Sequence, residues 1–171
     1  FSACFITSLI SLIPLVTAEK SIKEEKKTPE VIAKEIKKMN FKTKKENTHL
    51  YFSPEKDYFN AFSQHLKEYL LKYKQPKETL ILLCIGTDKI TGDCLGPLVG
   101  SKLQKRNFPY PLYGTLKQPL HASNLSESLI QIKKYHPQPF LLAIDAAVGA
   151  KKNIGRISLS CNPLSPGKGV S

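Results

Sequence analysis

From Ser53 onward the hydrophobic residues follow two rhythms in turn, and the switches between them lay out a chain of helices and strands. Phe59, Phe62, Leu66, Tyr69 and Leu70 recur at helical spacing after Ser53-Pro54, with Lys67 and Glu68 between them. This predicts a helix that breaks at Gln75-Pro76, its aromatic stripe serving as a packing face. Thr79 to Ile85 is an unbroken apolar run ending at Gly86, the pattern of a strand buried on both faces in a parallel sheet. A second helix is predicted from Leu95 to Arg106, with Leu95, Leu98, Val99 and Leu103 on one side. Pro97 is tolerated there because it falls in the first turn. Tyr110 to Leu116 predicts a second strand. Asn124-Leu125-Ser126-Glu127 reads as a capping box before a third helix, which His136-Pro137 ends. Phe140 to Ile144 is a third buried strand, stopping at Asp145, and Ile154 to Ser160 a fourth, followed by loop over 162–167. Strand, helix, strand, helix, strand predicts an α/β fold, a three-layer, mostly parallel, doubly wound sheet.

The first forty residues have a different texture. Residues 1–16 are apolar but interrupted by Pro14, short for a membrane span and without the basic residues that precede a signal peptide's apolar core. A charged, lysine-rich stretch follows, in the manner of a linker or a solvated helix. The only methionine is Met39, and Ala-Lys-Glu-Ile-Lys-Lys before it matches codons for a purine-rich ribosome-binding site. The expectation is therefore a natural start at Met39, with residues 1–38 as translated upstream sequence. The chain divides into a leader (1–40), an N-terminal helical extension (41–77) and the α/β domain (78–171).

Composition narrows the classes. With 41% hydrophobic residues in 171, there is material for one core, which excludes a wholly disordered chain. The net charge is +12, yet residues 1–77 carry 15 basic and 9 acidic side chains and 78–171 carry 11 and 5. The excess is thus spread evenly rather than gathered into a basic stripe interleaved with aromatics, so a solvated basic surface is favoured over specific nucleic-acid binding. Cys4, Cys84, Cys94 and Cys161 show no C-x-x-C spacing and no nearby histidine. That argues against a zinc site and for a reducing, cytoplasmic compartment, with Cys84 a small buried hydrophobe.

Candidate chemistry collects where the chain leaves the predicted strands, the side on which doubly wound sheets bind ligands. Gly86-Thr87-Asp88-Lys89-Ile90-Thr91-Gly92-Asp93 follows the first strand and Asp145-Ala146-Ala147-Val148-Gly149 the third. If those strands are neighbours, Asp93 and Asp145 share a crevice. Two close carboxylates cannot both ionise easily, so the pair shares a proton and can act as base and acid. Alternatively the pair holds a divalent cation, a cofactor the spacing leaves open. The plainer roles are an N-cap on the second helix for Asp93 and a strand-end carboxylate bonded to loop amides for Asp145. Asp88, Thr91, Gly96 and His121 are the neighbours placed to support the pair or bind substrate, although Asp88 also suits a turn cap and His121 a loop surface. The loop lacks both G-K-[ST] and G-x-G-x-x-G, and no serine lies in a G-x-S-x-G elbow.

Four ordered segments carry a resemblance: residues 85–100 (IGTDKITGDCLGPLVG), 112–122 (LYGTLKQPLHA), 136–146 (HPQPFLLAIDA) and 157–170 (ISLSCNPLSPGKGV). Over roughly 78–171 the chain resembles the YyaC group of sporulation proteins. That group is similar to the germination protease that degrades small acid-soluble spore proteins, and more distantly to hydrogenase maturation endopeptidases. The germination protease has a similar D-x-L-G-P-L-V turn and A-I-D-A strand end, whose aspartates match Asp93 and Asp145. In the hydrogenase maturation enzymes the corresponding acidic positions contact a metal with a histidine's help. The resemblance implies a phosphorylase/hydrolase-like fold, a domain continuing past Ser171, and a cytoplasmic peptidase of sporulation or germination acting on a protein or peptide. The alternative is a non-enzymatic sporulation factor that keeps the fold as a binding module.

Overall fold

A computed structural model of the chain describes residues 7–14, 50–53, 58–147 and 150–161. Its elements in order are β1 (Thr7–Pro14), β2 (Leu50–Phe52), α1 (Tyr58–Tyr73), β3 (Thr79–Cys84), α2 (Leu95–Lys105), β4 (Leu112–Tyr113), α3 (Leu125–Tyr135), β5 (Pro139–Ala147) and β6 (Ile157–Ser160). Short 3-10 turns at Thr91–Asp93 and Lys151–Asn153 precede α2 and β6. Met39, the lysine-rich stretch before it, Pro54, Val148-Gly149 and the loop over 162–167 lie outside the described residues.

The six strands form one sheet in the order β2-β6-β1-β5-β3-β4. Within it β4, β3 and β5 make a parallel block, with Thr79 opposite Pro139 and Cys84 opposite Ile144. Beyond β5 the sheet is mixed: β1 runs antiparallel to β5, β6 parallel to β1, and β2 antiparallel to β6. The expected α/β fold is present, and parallel pairing dominates the block that bears the two polar loops. The apolar stretch of the leader, which the hydropathy pattern left outside the domain, supplies β1 between β5 and β6.

Alternation along β3 and β5 divides the core between the two faces of the sheet. Leu80, Leu82 and Cys84 join Phe140 and Leu142 on one face, where side chains of α1 and the end of α2 cover them. Ile81, Leu83 and Ile85 join Leu141 and Ala143 on the other, under Leu125, Leu129 and Ile132 of α3. Strands buried on both sides must be apolar at every position, which is why the sequence shows unbroken runs here and no alternation. Each such side chain contributes roughly 1.5–3 kcal/mol on leaving water. The Cys84 thiol belongs to this core, and burial pushes its pKa up to about 12, so it stays protonated and unreactive.

Several local expectations shift. Phe59 is 68% exposed, so α1 packs through Phe62, Leu66, Tyr69 and Leu70, with Phe62 edge-on to Phe52 at 5.4 Å. Leu98 is exposed too; α2 buries Gly96, Pro97 and Gly100 against the sheet instead. A Cβ on Gly96 would collide with the Ile85 carbonyl, so the small residue lets the helix backbone rest directly on the end of β3. β4 is only two residues long because the chain turns away after Tyr113, with Thr115 N–H donating to Gln118 O at 2.9 Å. β6 begins at Ile157 rather than Ile154, since the chain is still turning there: Arg156 N–H donates to Asn153 O at 3.1 Å.

Candidate functional site

β3 and β5 are adjacent, Ile85 N–H donates to Ile144 O at 2.8 Å, and β5 runs three residues beyond the last residue paired with β3. The chain leaves β3 through Gly86, whose φ of +140° and contact with the Asp93 carbonyl exclude a side chain. It then loops through Asp88 and Lys89, both exposed, and returns in the 3-10 turn to deliver Asp93 beside β5. Ile90 O accepts the Asp93 N–H at 2.8 Å, closing that turn.

Asp93 does not cap α2. Cys94 holds the N-cap position and makes no side-chain cap, and Asp93 Oδ2 instead accepts the Thr87 N–H across the loop at 3.1 Å. Thr87 N–H also reaches the Asp93 carbonyl at 3.0 Å. Asp145 lies past the last paired residue of β3 and is only 8% exposed.

The two carboxyl groups feel each other. Burial and, after it, the charge of Asp93 raise the Asp145 carboxyl to about 6, against a smaller lowering by the Ala146 amide. Burial also raises Asp93, opposed by the Thr87 amide and by the His121 imidazole. A buried acid beside a like charge keeps its proton to higher pH, because ionising it costs both hydration and repulsion. As the pH falls toward about 6 the pair takes up its proton on Asp145, which leaves Asp93 as the member to act as base.

His121 is the third member. It follows the bridge that joins Leu120 to Ile85, and Gly86 N–H donates to Leu120 O at 2.7 Å, tying its loop to that of Asp93. His121 Nδ1 shares a 2.7 Å hydrogen bond with the Ser123 hydroxyl. Asn124 pins the loop: its Oδ1 accepts the His121 N–H at 2.8 Å, and its Nδ2 donates to Pro119 O at 3.0 Å. The predicted capping box is absent for that reason, since Asn124 spends its acceptor on His121 and offers α3 no side-chain cap.

Of the residues singled out from sequence, the structure thus gathers Asp93, Asp145 and His121. Asp88 points into solvent, and the turn it was expected to cap is held by Thr87, whose Oγ1 accepts the Lys89 N–H at 3.3 Å. Thr91 contributes backbone to the 3-10 turn. Gly96 supports the site through close packing of α2 and makes no side-chain contact. Thr87 and Asn124 are the contributors that the sequence reading passed over. Asn124 was legible only as a cap, and Thr87 works mainly through its amide, which leaves no trace in a residue pattern. Among the described residues no group of three His, Cys, Asp or Glu side chains is placed to hold a metal ion, and no helix is long and apolar enough to cross a membrane.

Comparison with known proteins adds two findings. A family model described as "Protein of unknown function (DUF1256)" matches residues 50–171, taking in β2 and α1 as well as the α/β domain. "Uncharacterized protein YyaC" of Bacillus subtilis (strain 168) is 43% identical over 98 residues, 57% of this chain and 48% of that protein. The chain accordingly spans about half the length of this curated relative. No solved structure matches it significantly.

Proposed function

The chain belongs to the DUF1256 family, and from that premise we propose that it is a peptidase of the germination-protease-like superfamily, with Asp93 and Asp145 as its acid/base pair. The layout fits a doubly wound, phosphorylase/hydrolase-like sheet. α2, which links β3 to β4, lies on one face and α3, which links β4 to β5, on the other, and in such sheets ligands bind beyond the carboxyl ends of the strands. A role in sporulation or germination, in the cytoplasm and on a protein or peptide substrate, belongs to the same reading.

The observation that carries it is Asp145. A nearly sealed carboxyl with its pKa near 6 beside a second carboxylate is matched to proton transfer near neutral pH, and perturbed acids of this kind cluster at functional sites. In the proposed step Asp93 removes a proton from water as its oxygen attacks the peptide carbonyl. Asp145 gives its proton to the carbonyl oxygen. When the tetrahedral species collapses, that oxygen returns its proton to Asp145, the proton on Asp93 passes to the departing amine, and both carboxyls regain their starting states. The hydrogenase-maturation resemblance implies a metal here, but among the described residues Asp93, Asp145 and His121 are not placed as a group of three that could hold one. The proton chemistry above uses the carboxylates themselves.

The test is hydrolysis by the complete natural protein of an unfolded polypeptide such as reduced, carboxymethylated α-lactalbumin. Asp93→Asn and Asp145→Asn should each lower the rate by about 100-fold or more, the usual span for removing a general acid or base, with unchanged circular dichroism. Wild-type rates in both variants would end the proposal. Unimpaired sporulation with both substitutions, but not with a disrupted surface patch, would favour the binding module.

A further inference from the structure

We propose that an extended polypeptide binds along the outer edge of β4, hydrogen-bonding to Leu112 as an added strand and running toward His121; that the ligand is a peptide rests on the peptidase reading above. β4 is the last strand on its side of the sheet, and among the described residues no strand pairs with its outer edge. Leu82 donates its N–H to Pro111 O at 2.9 Å. In a parallel ladder a residue bonds to the two neighbours of its partner. Since Leu82 is the partner of Leu112, Pro111 and Tyr113 face β3. The N–H and C=O of Leu112 therefore point outward.

A groove follows that edge. One cavity of about 560 Å³ is walled by Gln104 of α2 on one side and Gln131 of α3 on the other, with Leu112 in its floor and Gln118 and His121 at its far end. A second, of about 410 Å³, shares Gln104 and Leu112 and extends the groove past Tyr110. The walls thus come from opposite faces of the sheet, leaving the strand edge exposed between them. Amide side chains offer a donor and an acceptor each, and apart from His121 the lining carries no charge. Such a lining suits the alternating N–H and C=O groups of an extended backbone better than it suits an ionic ligand. The groove ends at the histidine that influences Asp93, so a strand laid in it approaches the acid pair. β4 is two residues long and only Leu112 of it turns its backbone groups outward, so the added strand is a short one.

Amide hydrogen exchange on the complete natural protein tests this, with reduced, carboxymethylated α-lactalbumin as probe. The Leu112 amide should exchange freely in the unliganded protein and become protected when the probe is added. Leu112→Pro, which deletes the outward donor, should weaken probe binding about tenfold, the worth of one hydrogen bond, while Leu112→Val retains it. Circular dichroism and the thermal midpoint confirm that each variant folds. Protection of Leu112 before the probe is added, whether from the chain's own segments or from a second copy, overturns the proposal. So does equal binding by the proline variant, or no protection at the highest soluble probe concentration. Hydrolysis without protection at Leu112 removes the edge site and spares the peptidase. Protection without hydrolysis keeps the edge site and removes the peptidase.

Discussion

β3 and β5 close at their amino ends with backbone and solvent-facing groups: Thr79 N–H donates to Gln138 O at 2.9 Å, and Gln75 N–H to Glu78 Oε2 at 2.7 Å. Just inside, Phe140 and Leu80 pair across the strands and are buried. At the carboxyl ends of the same strands, Asp145 is equally sheltered, and Asp93 and His121 stand where a core would place apolar side chains. One end removes hydrocarbon from water and gains stability by it. The other removes a carboxyl from water beside a second carboxyl and loses stability by it. Under the peptidase proposal, that cost keeps a proton-transfer group ready.

The largest effect should come from the amino end. Phe140 is fully buried, and Phe140→Ala should cost about 4 kcal/mol from lost transfer and the cavity left behind, read from urea denaturation. The fraction still folded should hydrolyse the unfolded probe at the wild-type rate. A matching loss of activity in that fraction would mean that the ends are coupled, and the contrast drawn between them would fail.

Next is the pH dependence set by Asp145. Its carboxyl titrates at about 6 in the folded chain against an ordinary 3.8, so between those values the folded state holds a proton that the unfolded state has released. Stability therefore falls as pH rises from about 4 to about 6, by about 3 kcal/mol in total. Asp145→Asn keeps an acceptor for the Ala146 amide and removes the charge. The variant should lose this part of the slope and be the more stable protein at neutral pH, even as hydrolysis disappears. Denaturation midpoints between pH 4 and 7.5 decide it, and an unchanged slope would show that Asp145 is not the buried acid described. Asp93→Asn provides a sharper form of the same test, since without the neighbouring charge the Asp145 carboxyl should titrate lower by NMR.

What the sequence made legible follows from this division. The runs Thr79–Ile85 and Phe140–Ile144 are dictated by burial on both faces; the structure has the first as a strand at almost the expected bounds and extends the second to Pro139–Ala147, so that Asp145 lies within β5 and not at its end. Asp145 stood out because a carboxyl after five apolar residues is costly wherever it points, and Asp93 because it lies in the polar loop where the chain leaves the first strand. Leu98 and Phe59 were misplaced because periodicity identifies a face but not what packs on it: the sheet accepts α2 through glycine and proline, where backbone approaches backbone. β1 and β2 left no usable signal. β2 is three residues long, and β1 sits in a segment whose apolar character fits several roles equally well. The roles of Thr87 and Asn124 depend on a returning loop, and loop return is fixed by tertiary packing that local pattern does not encode.

The smallest effect is expected at Glu78, and it tests the comparison most finely. Both ends of the strand pair contain a carboxylate that accepts a backbone N–H: Glu78 from Gln75 at 2.7 Å and Asp93 from Thr87 at 3.1 Å. By distance alone the Glu78 bond is the better one. Its setting is exposed, however, so water replaces the carboxylate with little loss once it is removed, whereas the Asp93 bond is part-buried and fixes a group that acts on its neighbours. Glu78→Ala should therefore cost no more than about 0.5–1 kcal/mol and leave hydrolysis of the probe at the wild-type rate. Asp93→Ala, which removes the longer bond, should abolish hydrolysis and shift the titration of Asp145. If the two substitutions instead ranked by bond length, with Glu78 the more damaging to both stability and turnover, then hydrogen-bond geometry and not burial would govern this molecule, and the assignment of the carboxyl end as the working end would fall with it.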